Sequence, residues 1–229
     1  MCGRFTLTST PEALAERFGL DARPNAAPRW NIAPGQQVLA VRSRGDGTRW
    51  AQPLRWGLVP PWSSPELGPP LVNARAETAA LRPAFREAFR ARRCIVPANG
   101  FYEWADLGAY RQPYWIAPPD GALFGIAGIW ERWTDSSGAR LESCALLTTA
   151  ANARIADLHD RMPAILAPDQ YTLWLDPAQE PAALAALLAP LASDSLALRP
   201  VSTRVNRIEN DDASLVEAVP EPPRQASLF

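Results

Sequence analysis

The stretch LFGIAGIWERWTDSSGARLESCALLT, Leu123 to Thr148, reads as two strands and a turn. Leu123–Trp130 and Leu141–Thr148 are short apolar runs with branched and aromatic residues. Asp135-Ser136-Ser137-Gly138 between them has the composition of a hairpin turn. Working outward, Cys94–Pro97 and Tyr114–Ile116 have the same strand texture, and a last strand is expected around Leu198–Val201. Nearer the start, Gln36–Val41 and Arg49–Trp56 form another strand pair, turning at Gly45-Asp46-Gly47. The strands follow one another as hairpins, without regular βαβ alternation. That succession predicts an α+β fold, a single domain with a largely antiparallel β-sheet or barrel core flanked by helices.

The helices are expected around this core. Thr10-Pro11-Glu12 supplies a capping hydroxyl, a proline for the first turn and an acid at the positive dipole end. That helix should reach about Phe18 and stop at Gly19. Pro83–Arg92 places Phe85 and Phe89 on one helical face. Further helices are expected over Asn152–Leu158, Asp169–Leu175 and Glu180–Leu191, and Pro60–Pro70 is a proline-rich loop. The expected division is a domain over residues 1–216, then a Pro-rich linker and tail over 217–229.

Composition narrows the function classes. Of 229 residues 47% are hydrophobic, with nine Trp, enough for a packed core and too apolar for disorder. The three Cys are an odd count without CxxC or Cys/His spacing, so neither a zinc site nor a disulfide framework is expected. The start lacks a basic segment followed by an apolar run, and no uninterrupted apolar stretch is long enough to span a bilayer. These readings lead us to expect a cytoplasmic monomer with no membrane association and no metal or organic cofactor. The net charge of −1 does not favour a polyanion partner, but it averages over faces. All the basic residues are Arg, and Arg75, Arg82, Arg86, Arg90, Arg92 and Arg93 lie close together, with Glu77 and Glu87 as counterweight. This stretch is either a basic face or a solvated helix surface.

Several residues carry usable chemistry. In Met1-Cys2-Gly3-Arg4-Phe5, removal of Met1 would leave Cys2 with a free α-amine beside its thiol. Their reference pKa values, about 7.7–8.0 and about 8.5, keep both nucleophiles accessible near neutrality. With an aldehyde the amine forms a Schiff base, and the thiol then closes a five-membered thiazolidine. The one His, His159, is either a proton carrier near pH 7 or a structural histidine. Glu103 stands among aromatics in Gly100-Phe101-Tyr102-Glu103-Trp104. It is either a desolvated acid/base or the partner of an Arg. Asn73-Ala74-Arg75 offers an amide to orient Cys2 and a guanidinium for phosphate. Trp56 and Trp62 offer faces on which unpaired bases stack, unless they belong to the core.

In their order along the chain these segments resemble the SOS response-associated peptidase (SRAP) family of abasic-site DNA–protein crosslinkers. The matching segments are Met1–Phe5, Trp30–Gly35, Trp56–Pro60, Asn73–Glu77, Arg93–Trp104, Gly128–Trp130, Thr148–Asn152, His159–Pro163 and Pro200–Asn206. The resemblance spans roughly residues 1–216. It implies a partner, single-stranded DNA with abasic sites, and a covalent thiazolidine crosslink through Cys2 that shields the lesion. Asn73 would then hold the cysteine, Glu103 would move protons during imine formation and ring closure, and His159 would assist Schiff-base formation and ring opening, including strand scission. Arg75 and Arg161 resemble phosphate contacts, and Arg4 and Trp62 would line the DNA path. The peptidase in the family's name would correspond to removal of Met1, by ordinary N-terminal processing or by self-processing.

The end of the chain, Gln225-Ala226-Ser227-Leu228-Phe229, resembles the bacterial sliding-clamp-binding pentapeptide. Gln225 would anchor it, and Leu228 and Phe229 would fill an apolar pocket, with the linker tethering the domain to the clamp. Two rivals stand beside the crosslinker. An N-terminal cysteine amidohydrolase also begins Met-Cys-Gly, but resembles this chain at those three residues alone. A passive single-stranded-DNA binder would use Arg and Trp without covalent chemistry.

Overall fold

The structure, a computed structural model, describes residues 3–44, 46–63, 69–108 and 110–221. Met1, Cys2 and the tail motif Gln225–Phe229 lie outside the described residues, as do residues 64–68 of the proline-rich loop.

The longest hairpin is the one that the sequence marks most clearly. Strands β9 (Phe124–Thr134) and β10 (Arg140–Ala150) pair antiparallel from Thr134↔Arg140 to Gly128↔Leu146. Asp135 Oδ1 accepts from the backbone N–H groups of Ser137 and Ala139, both at 2.8 Å, and Gly138 takes φ +88°, which a side chain would resist. The earlier hairpin, β3 (Gln37–Ser43) and β4 (Arg49–Trp56), pairs in the same way. β6 (Arg93–Ala98) joins β3 to β9, and β4 meets β10 in parallel at Ser143↔Arg55, so the sheet closes on itself in the order β10-β4-β3-β6-β9-β10. Three short strands dock on this barrel: β5 (Asn73–Arg75) and β11 (Arg161–Pro163) on β10, and β12 (Ile165–Leu166) on β9.

A second sheet runs β13-β8-β7-β1-β2, all antiparallel. It comprises β1 (Phe5–Leu7), β2 (Arg29–Ile32), β7 (Gly100–Asp106), β8 (Arg111–Ala117) and β13 (Ala197–Pro200). Its two faces serve two cores. Phe5, Phe101 and Ile116 enter the main core with Trp56, Leu54 and the barrel interior, whereas Tyr102 joins Val201, Val205 and Leu215 in a smaller cluster. The α+β class and the largely antiparallel single-domain core expected from the sequence are therefore observed.

Helix α1 (Pro11–Phe18) has its expected ends. Thr10 Oγ1 accepts from Ala13 N–H at 3.3 Å, and Gly19 closes it at φ +61°. Of the other expected helices, those after Pro83 and after Glu180 are shorter, and the one expected over Asp169–Leu175 begins as a 3₁₀ turn, Pro168–Gln170. α2 (Ala76–Ala79) follows β5, and α3 covers Arg86–Ala91 instead of Pro83–Arg92, with Phe85 and Phe89 buried as anticipated. α4 (Tyr171–Leu175) ends before Pro177, and α5 (Pro181–Ala185) passes through a 3₁₀ turn to an extended Ala189 ahead of Pro190. A residue before proline is pushed out of the helical region, which shortens the helix expected to reach Leu191. The helix expected over Asn152–Leu158 is a run of turns. Asn152 Oδ1 takes the N–H groups of Arg154 and Ile155, and the backbone bonds there, such as Ala156 N–H to the Asn152 carbonyl and His159 N–H to the Ile155 carbonyl, stay scattered among turns. Residues 217–221 lie against the domain, with an Ala218↔Val201 bridge and Val219 N–H donating to the Pro200 carbonyl at 2.9 Å.

Candidate active site

Strand alternation decides where Glu103 goes. On β7 it shares the face of Phe101, which belongs to the main core, while Tyr102 and Trp104 face the smaller cluster. The residue is 3% exposed, and this burial pushes its carboxyl up to about 7. The negative charge of Asp160 adds to the rise, tying β7 electrostatically to the segment that enters β11. Glu103 is therefore a desolvated carboxyl, of the kind suited to acid/base use near neutrality.

His159 lies in that segment, its side chain about a quarter exposed (28%). Nδ1 is 2.9 Å from the Arg161 backbone N–H and also 2.9 Å from Asp160 Oδ1. The amide donates to Nδ1. Burial lowers the imidazole below its ordinary value, against the opposing pull of Asp160, so the neutral ring dominates at pH 7.

The barrel strand β10 brings the remaining positions together. Asn73 lies opposite Leu146 and Arg75 opposite Thr148 on one side of β10, while Arg161 lies opposite Ala150 on the other. Arg75 is exposed. Arg161 is mostly covered and grips Glu77 with both terminal nitrogens, at 2.7 and 2.8 Å, while also donating to the Thr148 carbonyl. That fork holds the Glu77 carboxyl below its usual range. Glu77 and Thr148 therefore hold Arg161, and Asp160 lies beside His159; of the three, the sequence marks only Glu77, as a counterweight to arginines. The spacing of Glu77 and Arg161 carries no signal of their pairing, since they are far apart in the chain and meet across β10.

Trp62 is strongly exposed (71%) at the end of the described part of its loop. The loop is tied down by Trp133 Nε1 donating to the Ser63 carbonyl and by Val59 N–H donating to Ser143 Oγ at 2.9 Å. Trp56, in contrast, is fully buried and belongs to the core. Arg4 points its guanidinium at the protein: Nη1 donates to Asn31 Oδ1 and to the Val205 carbonyl, both at 2.7 Å. The arginine stretch is not one uniform face either. Arg93 is buried and caps the ends of α3 and α4 through the carbonyls of Phe89, Arg90, Trp174 and Asp176, and Arg92 pairs with Glu131 at 2.5 Å. Arg82, Arg86 and Arg90 remain on the surface, with Arg90 bonded to Glu87.

Among the described residues, no group of three or more His, Cys, Asp and Glu side chains is placed to hold a metal ion, and no helix is long and apolar enough to cross a membrane. Cys94 and Cys144 are fully buried, and burial pushes the Cys94 thiol up to about 12, so neither is a reactive thiol.

The chain is thus a single-domain α+β protein with a buried carboxyl on the strand that pairs with β1. Residues 1–208 match the SOS response associated peptidase (SRAP) family, and the chain belongs to that family. The abasic site processing protein YoaM of Bacillus subtilis is 41% identical over 224 residues, covering 95% of this chain and 98% of the relative. The abasic site processing protein YedK of Escherichia coli is 32% identical over 227 residues, covering 96% and 100%. A crystal structure of a protein from Bacteroides thetaiotaomicron superposes with a TM-score of 0.86 at 28% identity, covering 95% of this chain and all of that one.

Proposed function

We propose that this protein processes abasic sites in single-stranded DNA by crosslinking itself to them through Cys2. The observation that carries the proposal is the buried Glu103, poised near pH 7 on the strand next to β1. Cys2 directly precedes Gly3 in the sequence, and Gly3 stands two positions before β1.

The reaction begins once removal of Met1, by self-processing, frees the α-amine. The amine attacks C1′ of the ring-opened sugar, and the carbinolamine loses water with a proton supplied by the Glu103 carboxyl. The Cys2 sulfur then adds to the iminium carbon, and its proton returns to the Glu103 carboxylate, giving a neutral thiazolidine with one water released. A carboxyl near 7 both gives and takes protons at working pH. Neutral His159 assists opening of the sugar, and strand scission is the side route of the same imine. Asn73 orients the cysteine. Arg75 meets phosphate and Trp62 stacks on an unpaired base, giving affinity with little sequence preference.

The protein would work as a cytoplasmic monomer at damaged DNA, its domain spanning residues 1–216. The tail, with Gln225, Leu228 and Phe229 as its anchors, would dock on the sliding clamp. Full retention of clamp binding after deletion of Gln225–Phe229 would remove that part of the reading. The central test is a denaturing gel of the protein with single-stranded DNA carrying one natural abasic site, beside Cys2→Ala and a reduced, aldehyde-free site. The expected result is a denaturant-resistant band formed by wild type with the aldehyde alone. Absence of that band from protein shown by mass to lack Met1 would refute it.

A further inference from the structure

We propose that Arg4 is a positioning residue for Cys2 and not a contact to the DNA backbone; the inference rests on the reading of Cys2 as the nucleophile. On β1, Phe5 enters the main core, so Arg4 projects to the opposite face, where Val205 belongs to the smaller cluster. That face is roofed by residues 203–211. Arg4 Nη1 donates to Asn31 Oδ1 and to the Val205 carbonyl, each at 2.7 Å, and Nη2 reaches the Asn206 carbonyl at 3.5 Å.

The acceptor is itself rigid. Asn31 is fully buried, and its amide nitrogen donates to the carbonyls of Val205, Arg207 and Asn210 at 3.2, 3.0 and 2.7 Å. Its backbone N–H donates to Asp211 Oδ1 at 3.0 Å. On the other side, the Arg4 carbonyl accepts from Tyr102 N–H at 3.0 Å, which ties the same residue to β7 one position from Glu103. Arg4 is therefore held by side chain and main chain at once, two residues from Cys2. Turning the guanidinium onto a phosphate would cost Asn31 Oδ1 and the buried Val205 carbonyl the charge-assisted donor that they share. Holding a nucleophile in place matters because a displacement on the order of 1 Å costs roughly 10²-fold in rate.

The test compares wild type, Arg4→Met and Arg4→Lys. Two quantities are read: the crosslinking rate at saturating single-stranded DNA with one abasic site, and the affinity for the same strand carrying a reduced site, across a salt series. Lysine keeps the charge and the stem but lacks the planar fork that reaches two acceptors. The expected result is a rate at least about tenfold lower in both variants. Affinity should stay within about twofold, and the salt dependence should be unchanged. The proposal is overturned if both variants crosslink at the wild-type saturated rate while Arg4→Met weakens binding and flattens the salt dependence by about 0.7 in log–log slope, the signature of one lost phosphate contact. It is equally overturned if Arg4→Lys restores the wild-type rate. Arg4→Lys keeps the assay decisive should Arg4→Met fold poorly. A wild type that forms no crosslink refutes the Cys2 reading itself and this inference with it, whereas a crosslinking wild type with equally fast variants refutes the role of Arg4 alone.

Discussion

Replacing Glu103 by Gln keeps the shape and hydrogen-bonding capacity of the neutral acid and removes its ability to ionise in a site 3% exposed. In the folded chain the carboxyl is raised from 4.5 to about 7. The folded protein thus holds this proton more tightly than the unfolded chain does. The stability that it contributes is complete below pH 4.5 and is lost as the pH rises through about 7. At about 1.4 kcal/mol for each tenfold in proton affinity, the loss approaches about 3 kcal/mol at alkaline pH, and about 2 to 3 kcal/mol of it falls between roughly pH 5 and 8. Glu103→Gln carries no such term. Urea unfolding of both proteins across this range should show the variant gaining stability on wild type by that amount as the pH rises, at constant m-value. Taking the difference between the two proteins cancels the titration of His159 and of the surface groups. The same substitution should abolish the inflection near pH 7 in the crosslinking rate and slow the reaction about 10²-fold or more, so that a stabilised protein is the less active one. A stability difference that varies by less than about 0.5 kcal/mol over the range would refute the account of a desolvated carboxyl.

Other expectations follow from the same geometry. Arg93→Met should lower stability by about 3 kcal/mol in chemical denaturation, because it leaves the carbonyls that end α3 and α4 without their buried donor. Gly57→Ala should cost about 2 kcal/mol or more, read as a lower Tm. Gly57 sits at φ +132°, and an added Cβ would lie 2.7 Å from that of Pro70. Trp62→Ala should weaken affinity for single-stranded DNA by about 1–3 kcal/mol in fluorescence anisotropy. Its melting temperature should not change, since the side chain is exposed.

The legible parts of the fold are those with local causes. Thr10 and Gly19 bound α1 as expected, and the Asp135–Gly138 turn forms where its composition places it, because caps and turns are bonds between near neighbours. β7 carried no alternation to read: both of its faces are packed, one against each core, so Phe101, Tyr102 and Glu103 are all buried. β5 and β11, of three residues each, are strands because β10 offers them its backbone, and neither segment has a strand pattern of its own. The arginine-rich stretch looked uniform, yet Arg93 serves the core while Arg75 reaches solvent.

Residue types and their order along the chain carry the chemical inventory and the family: a cysteine at position 2, a lone His and a Glu among aromatics. Tertiary structure alone decided how those groups are tuned. Glu103 becomes an acid near neutrality through burial on one face of β7 and the charge of Asp160, which stands far along the chain. Arg161 is committed to Glu77 across β10, and Arg4 to Asn31 under the 203–211 segment. Residue identity sets which protons and bonds a group can offer. Desolvation and pairing set which of them it uses, and those depend on neighbours that only the folded chain brings close.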